Sequence, residues 1–176
     1  MNNIETVKTA IRTVPDFPKP GILFYDITTV LQDPKHYGTI CDALAERYAA
    51  MNISKILAME SRGFIFAGPV AKAIGAGLVP LRKPGKLPWK KVSQSFDLEY
   101  GTDSLEVHQD AVEKGERVLV LDDLLATGGT AEASVRLARK LGADVVEAGF
   151  VIELTFLRGR DKLGDVPAWS MIQFDS

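Results

Sequence analysis

The run Val118-Leu119-Val120-Leu121-Asp122-Asp123-Leu124-Leu125-Ala126-Thr127-Gly128-Gly129-Thr130 decides the fold of this chain. Four uninterrupted apolar residues, two of them β-branched, suit a strand buried on both faces of a parallel sheet. Two carboxylates follow at once. Small and hydroxylated residues come next, and Thr130 opens a helical pattern that runs to Leu141, with Gly142 placed to end it. In open α/β sheets, ligands bind beyond the carboxyl ends of the strands. Ala126 to Thr130 offers successive backbone N–H groups and threonine hydroxyls to an anion. Gly128 and Gly129 permit the tight backbone, and the helix N-terminus adds a favourable potential. The segment reads as a phosphate cradle. Asp122 and Asp123, one step before it, are acceptors suited to sugar hydroxyls, directly or through Mg2+. A turn with two solvated acids is the plainer alternative, but acids directly after four buried apolar residues argue against it. Neither the Gly-Lys-Ser/Thr of a Walker A loop nor Gly-x-Gly-x-x-Gly is present in the run.

Outward from this run the same grammar repeats. Val145 to Ile152 reads as the strand after the helix. Upstream, Lys55 to Met59 reads as a buried strand, Phe64 to Ile74 as a helix closed by Gly75 or Gly77, and Leu78 to Leu81 as a strand. Strand, helix, strand occurs twice, which predicts an α/β fold with a doubly wound, mostly parallel sheet. Residues 3–13 read as an amphipathic helix, and Pro15, Pro18, Pro20 and Gly21 then force an irregular passage. Asp33-Pro34 places an N-cap and a first-turn proline ahead of a helix to about Ala50. The stretch Lys83 to His108 breaks the alternation. Its punctuation, Lys83-Pro84-Gly85-Lys86-Leu87-Pro88, suits a long loop, and Ser104-Leu105-Glu106-Val107-His108 suits a hairpin-like extension. Loops of this length are often functional lids.

Composition narrows the function classes. The chain has 176 residues, 46% of them hydrophobic and 25% charged, which suits one domain with a full core. Its formal net charge is -2, from 21 basic and 23 acidic residues, so it lacks the basic surplus of a nucleic-acid binder. Gly63 to Leu81 carries a single charge, Lys72, but Pro69 and several glycines divide it, so no membrane span is expected. The first residues carry no basic start and apolar run of a secretory leader. The lone Cys41 is expected to be a buried thiol, which suits a reducing, cytoplasmic setting. His36 and His108 have no partner at metal-ligand spacing. Trp89 is read as a loop-packing residue and Trp169 as a core residue.

Five ordered segments carry a resemblance over nearly the whole chain. The run 118–130 resembles the phosphoribosyl pyrophosphate (PRPP) motif of the type I phosphoribosyltransferase family, in the form used by its adenine-specific members. Phe17-Pro18-Lys19-Pro20-Gly21-Ile22-Leu23-Phe24 resembles the family's approach to the base. Glu60-Ser61-Arg62-Gly63-Phe64 resembles its pyrophosphate loop. Arg82-Lys83-Pro84-Gly85-Lys86-Leu87-Pro88 and Leu98-Glu99-Tyr100-Gly101 resemble the two ends of its flexible catalytic loop. Glu153-Leu154-Thr155 with Arg158-Gly159-Arg160 resembles its C-terminal end.

The resemblance implies a single domain over 1–176. A small hood would come from about 1–33 and 153–176, and a flexible catalytic loop would span about 83–103. The reaction implied is transfer of the 5-phosphoribosyl group of PRPP to adenine, giving AMP and pyrophosphate in purine salvage. Ala126, Thr127, Gly128, Gly129 and Thr130 would hold the 5′-phosphate, and Asp122 and Asp123 the ribose hydroxyls. Glu60, Ser61, Arg62 and Gly63 would contact pyrophosphate, with Arg82 and Lys86 as further contacts and a cis peptide at Glu60-Ser61. Glu99 would act as general acid/base, with Tyr100 closing the site and Arg62 also counted with the catalytic groups. Phe24 and Leu154 would sandwich adenine, while Leu23 and Tyr25 offer backbone groups to its edge. Tyr25 departs from the family pattern, in which arginine is commonplace there; a backbone contact survives that change. Mg2+ is the implied cofactor, held mainly by PRPP and water with Asp122 and Asp123 nearby. A homodimer is implied, since such an arginine as Arg82 can serve a neighbouring subunit. Two rivals differ in class: a phosphoribosyltransferase for a 6-oxopurine such as xanthine, and a non-catalytic PRPP-binding regulator.

Overall fold

A computed structural model describes residues 3–97 and 101–176. The chain divides into two compact units, with the division between Leu44 and Ala45.

In the first unit, helix α1 (Asn3–Ala10) ends three residues earlier than its periodicity predicts. Arg12-Thr13-Val14 contains two β-branched residues, and it leaves the helix to form strand β1 (Arg12–Pro15). Strand β1 pairs antiparallel with β2 (Leu23–Asp26), from Arg12 opposite Asp26 to Pro15 opposite Leu23. The prolines and Gly21 thus make the turn of a hairpin, with a cis bond at Phe17-Pro18. Arg12 Nε donates to Asp26 Oδ2 across the pair at 3.0 Å. A short helix α2 (Thr28–Leu31) precedes α3 (Pro34–Tyr48). The Asp33 carboxylate accepts the Lys35 and His36 N–H groups at 2.8 and 3.0 Å, which is the N-cap the sequence predicts. Cys41 is buried in α3, and burial pushes its thiol pKa up.

The second unit is built on strands β3 (Lys55–Met59), β4 (Gly77–Leu81), β7 (Arg117–Leu125), β8 (Asp144–Leu154) and β9 (Ala168–Phe174). They form one parallel sheet in the order β4-β3-β7-β8-β9. Helix α4 (Arg62–Ile74) connects β3 to β4, and α5 (Gly129–Lys140) connects β7 to β8. Strand alternation sorts the two faces. Leu57, Met59, Val118 and Val120 join Ala131, Val135 and Leu137 of α5 in one buried cluster. The alternate residue Leu121 points the other way, towards Gly149 and the Tyr48 side chain. Helical material therefore covers both faces, as doubly wound sheets require.

Three sequence expectations, for β7, Trp89 and Trp169, need correction, and β9 is an addition to them. Strand β7 does not stop at the two acids but continues through Leu125, because β8 is long enough to keep pairing it, with Asp122 opposite Phe150 and Leu125 opposite Glu153. Strand β9 was not anticipated, since Ala168 to Phe174 carries polar residues at an edge of the sheet. Trp89 is 63% exposed, too open to anchor a loop, while Trp169 is only half-buried, with the Arg47 guanidinium 4.5 Å above its ring. The long insertion does contain a hairpin. Strands β5 (Lys91–Asp97) and β6 (Thr102–His108) pair antiparallel, from Lys91 opposite His108 to Asp97 opposite Thr102.

Candidate active site

At the carboxyl end of the parallel strands lies a cleft of about 490 Å³, lined by the 122–131 run, the 60–62 turn and Phe96 of β5. Its floor is shaped by close backbone approaches. A Cβ on Gly63 would sit 2.8 Å from the Leu121 carbonyl oxygen and 3.0 Å from an Asp122 carboxylate oxygen. Only glycine lets the start of α4 come this near to β7, and that approach brings Glu60, Ser61 and Arg62 to the acid pair. Glu60-Ser61 is a cis peptide, as the resemblance implies.

The 126–130 segment turns through Gly128 at φ 81° into α5. The first turn of a helix leaves N–H groups directed out of its N-terminus, so this turn presents an anion-binding concavity to the cleft. Gly128 is packed against Gly159 in the turn that follows β8: a Cβ on either residue would meet backbone of the other. Gly159 is fixed in turn by its neighbour Arg160. The guanidinium donates to Glu153 Oε2 at 2.6 Å and to the Ala168 carbonyl at 2.7 Å, and Glu153 is 2% exposed.

The carboxylates divide by environment. Asp123 is 4% exposed and paired with Arg62. Burial and the Asp123 charge together push the Asp122 pKa well above the usual carboxylate range, although it also accepts the Asp123 N–H at 2.8 Å. Glu60 goes the opposite way. Burial pulls its pKa up, but Lys86 Nζ at 2.6 Å, the Lys83 N–H at 2.7 Å and Arg82 Nε at 3.1 Å outweigh this and hold it at about 2.

The structure thus gathers the residues predicted for pyrophosphate and for the phosphate cradle. Glu60, Ser61, Arg62, Asp122, Asp123 and the 126–130 run line the cleft. Arg82 and Lys86 reach its rim through Glu60. Glu60 itself is an anion satisfied by three donors, which suits holding those cations rather than touching pyrophosphate. Leu23, Phe24 and Tyr25 lie on β2 of the first unit, where the Phe24 ring meets Phe17 edge-on with centroids 5.1 Å apart. The Tyr25 side chain is buried, so the departure from arginine is absorbed by packing. Leu154 is the buried last residue of β8 in the second unit. Glu99 and Tyr100 lie outside the described residues.

Sequence reasoning missed three contributors. Asp103 of β6 lines the cleft and accepts Lys83 Nζ at 2.7 Å, which ties the loop to the hairpin. Glu106 pairs with Lys91. Gly159 supports the cradle from a distant part of the chain. Their roles carry no local signal, since each depends on which segments become neighbours.

Comparison with known proteins agrees with this arrangement. Residues 26–171 match the family model of the phosphoribosyl transferase domain. A relative from Acidobacterium capsulatum, named adenine phosphoribosyltransferase, is 52% identical over 172 residues, covering 98% of this chain and 95% of the relative. A crystal structure of adenine phosphoribosyltransferase from Thermoanaerobacter pseudethanolicus superposes with a TM-score of 0.94 at 50% identity, covering 97% of this chain and 99% of the other. The enzyme of the same name from Saccharomyces cerevisiae, solved with an imino-altritol bisphosphate and adenine, gives a TM-score of 0.91 at 38% identity, covering 96% and 98%.

Proposed function

We propose the roles below on one premise: the chain belongs to the phosphoribosyltransferase family, among the adenine phosphoribosyltransferases. It transfers the 5-phosphoribosyl group of PRPP to adenine, releasing pyrophosphate and giving AMP. The observation that carries the mechanism is the cleft itself, in which an anion cradle, an acid pair and a cationic rim converge at the end of a parallel sheet.

The 5′-phosphate is assigned to the N–H groups and hydroxyls of Ala126 to Thr130. Asp122 and Asp123 take the ribose hydroxyls. The neighbouring Arg62 then turns from Asp123 to a pyrophosphate oxygen, for which a guanidinium is geometrically suited. Arg82 and Lys86, held ready by Glu60, neutralise the rest of the leaving group. For the base, the family pattern assigns the backbone of Leu23 and Tyr25 and the apolar sides of Phe24 and Leu154.

In the transfer, the C1–O bond breaks with its electron pair leaving on pyrophosphate, and a ring nitrogen of adenine forms the C1–N bond. The anomeric carbon passes through an oxocarbenium-like state, by analogy with glycoside hydrolysis. The nitrogen proton goes to Glu99 as general base, and Tyr100 helps to exclude water that would hydrolyse PRPP. Mg2+ would be held mainly by PRPP and water, with the hard oxygen donors Asp122 and Asp123 nearby, and would offset charge on the departing pyrophosphate. The working form is read as a homodimer, because an arginine such as Arg82 can serve a neighbouring subunit in this family. A cytoplasmic setting suits the single reduced thiol; no described helix is long and apolar enough to cross a membrane.

Replacing Glu99 by Gln tests the assignment of the base. Single-turnover formation of AMP should slow by about 10²-fold or more with PRPP binding little changed, the range expected for losing a general acid/base. A rate within twofold of the parent would remove Glu99 from that role.

A further inference from the structure

Glu106 lies in β6 between two core residues, Leu105 and Val107, and the pleat turns its side chain to the side opposite theirs. It is 6% exposed. A carboxylate this buried is costly unless donors satisfy it. Its donors come from one segment of chain: the Gly85 N–H at 3.1 Å, Lys91 Nζ at 2.8 Å and the Ser93 hydroxyl at 3.4 Å. The Glu106 backbone also pairs with Arg82 in both directions, at 2.9 and 2.7 Å. One residue therefore holds the 82–91 stretch at its start, at the Gly85 turn and at its end. Between those points lies Lys86, and Lys86 and Arg82 meet at Glu60 on the cleft rim.

An apolar side chain would join a hairpin to its neighbour without the desolvation cost of a buried ion pair. What a carboxylate adds is a charge and two acceptor oxygens that hold the Gly85 N–H, the Lys91 ammonium and the Ser93 hydroxyl together, which fixes the path of the loop rather than its mere attachment. We propose that Glu106 is a positioning residue for pyrophosphate and PRPP, setting the loop that presents Arg82 and Lys86. The inference rests on the reading of Arg82 and Lys86 as pyrophosphate contacts. Lys91 beside it, against the opposing effect of burial, holds the Glu106 carboxyl below the usual carboxylate range, so it remains ionised at neutral pH.

Titration calorimetry of the full chain with inorganic pyrophosphate and Mg2+ tests this, alongside separate KM values for PRPP and adenine. In Glu106→Gln the Kd for pyrophosphate and the KM for PRPP should rise about tenfold, as expected for losing a charge-assisted contact that orients a binding loop. The KM for adenine should stay within about twofold, a change too small to signal a lost contact. Lys91→Met, which leaves the buried Glu106 carboxylate without its counter-charge, should also raise the pyrophosphate Kd. Loss of thermal stability in Glu106→Gln with unchanged pyrophosphate affinity would overturn the proposal, because the residue would then only join strands. If Glu106→Gln does not fold, Glu106→Asp serves, since it shortens the reach to Gly85: weaker pyrophosphate binding supports the proposal and unchanged binding overturns it. Lys86→Ala is the control. An unchanged pyrophosphate Kd there would refute the reading of the rim, and this inference with it.

Discussion

Replacing Gly159 by Ala should damage PRPP binding although Gly159 itself is assigned no contact with PRPP. The new Cβ would meet the Ala126 carbonyl oxygen head-on, and would lie 3.0 Å from Leu125 Cδ1 and 3.1 Å from the Gly128 nitrogen. Two of these three obstacles are backbone of the phosphate cradle, so relief requires moving the cradle or the Gly159 turn. The turn is held by Arg160, whose carboxylate and carbonyl partners lie at 2.6 and 2.7 Å, so the cradle is the softer side. Overpacking of this kind costs roughly 1–3 kcal/mol, or a few degrees in Tm for a chain of this length. A displacement of about 1 Å in groups that position a substrate can cost about 10²-fold in kcat/KM. Steady-state kinetics with PRPP and adenine varied separately would read the effect. The expected result is a KM for PRPP raised at least about tenfold, with the KM for adenine nearly unchanged. A variant with parental KM for PRPP would refute the idea that this glycine shapes the cradle. An equal rise in both KM values would point to general loosening instead.

Two more outcomes follow from charge placement. Glu60 and Asp26 both titrate at about 2, below their ordinary values of 4.5 and 3.8. A carboxylate whose pKa is depressed on folding stabilises the protein above its unfolded pKa and loses that contribution as pH falls through its folded one. Thermal melts should therefore fall in Tm between about pH 4.5 and pH 2, and Glu60→Gln should flatten that slope; an unchanged slope would argue against the Glu60 ion pairs. Glu147 is 7% exposed and accepts Arg47 at 2.6 Å and the Tyr48 hydroxyl at 2.9 Å, away from the cleft. Glu147→Gln should cost about 3 kcal/mol and lower Tm by roughly 10 °C, with kinetic constants unchanged for the folded fraction. A normal Tm would show that the buried pair contributes nothing.

The sheet was legible because its strands are runs of β-branched and aliphatic residues, and the cradle because its small residues directly follow such a run. Strand β9 and the β1–β2 pair were not. Ser170 and Gln173 interrupt the first, and the prolines that punctuate the second mark a turn without saying what flanks it. The continuation of β7 past Asp122 was hidden for a similar reason: two acids look like a strand end, and only the partner strand β8 extends the ladder. The anion and cation groups of the site could be found from residue type. Their present pairing could not, because Arg62 with Asp123 and Lys86 with Glu60 join residues 61 and 26 positions apart. The roles of Glu106 and Gly159 are tertiary in the same sense.

The central claim is the identity of the transferred group and its acceptor. Purified protein with PRPP and Mg2+ should be offered adenine, hypoxanthine, guanine and xanthine in turn, and the nucleotide product followed by chromatography. The account predicts AMP and pyrophosphate in equal amounts from adenine, and no nucleotide from the 6-oxopurines, whose edge reverses the hydrogen-bond pattern that backbone groups on β2 would offer. Nucleotide formed from a 6-oxopurine in place of adenine, or from no base at all, would contradict it.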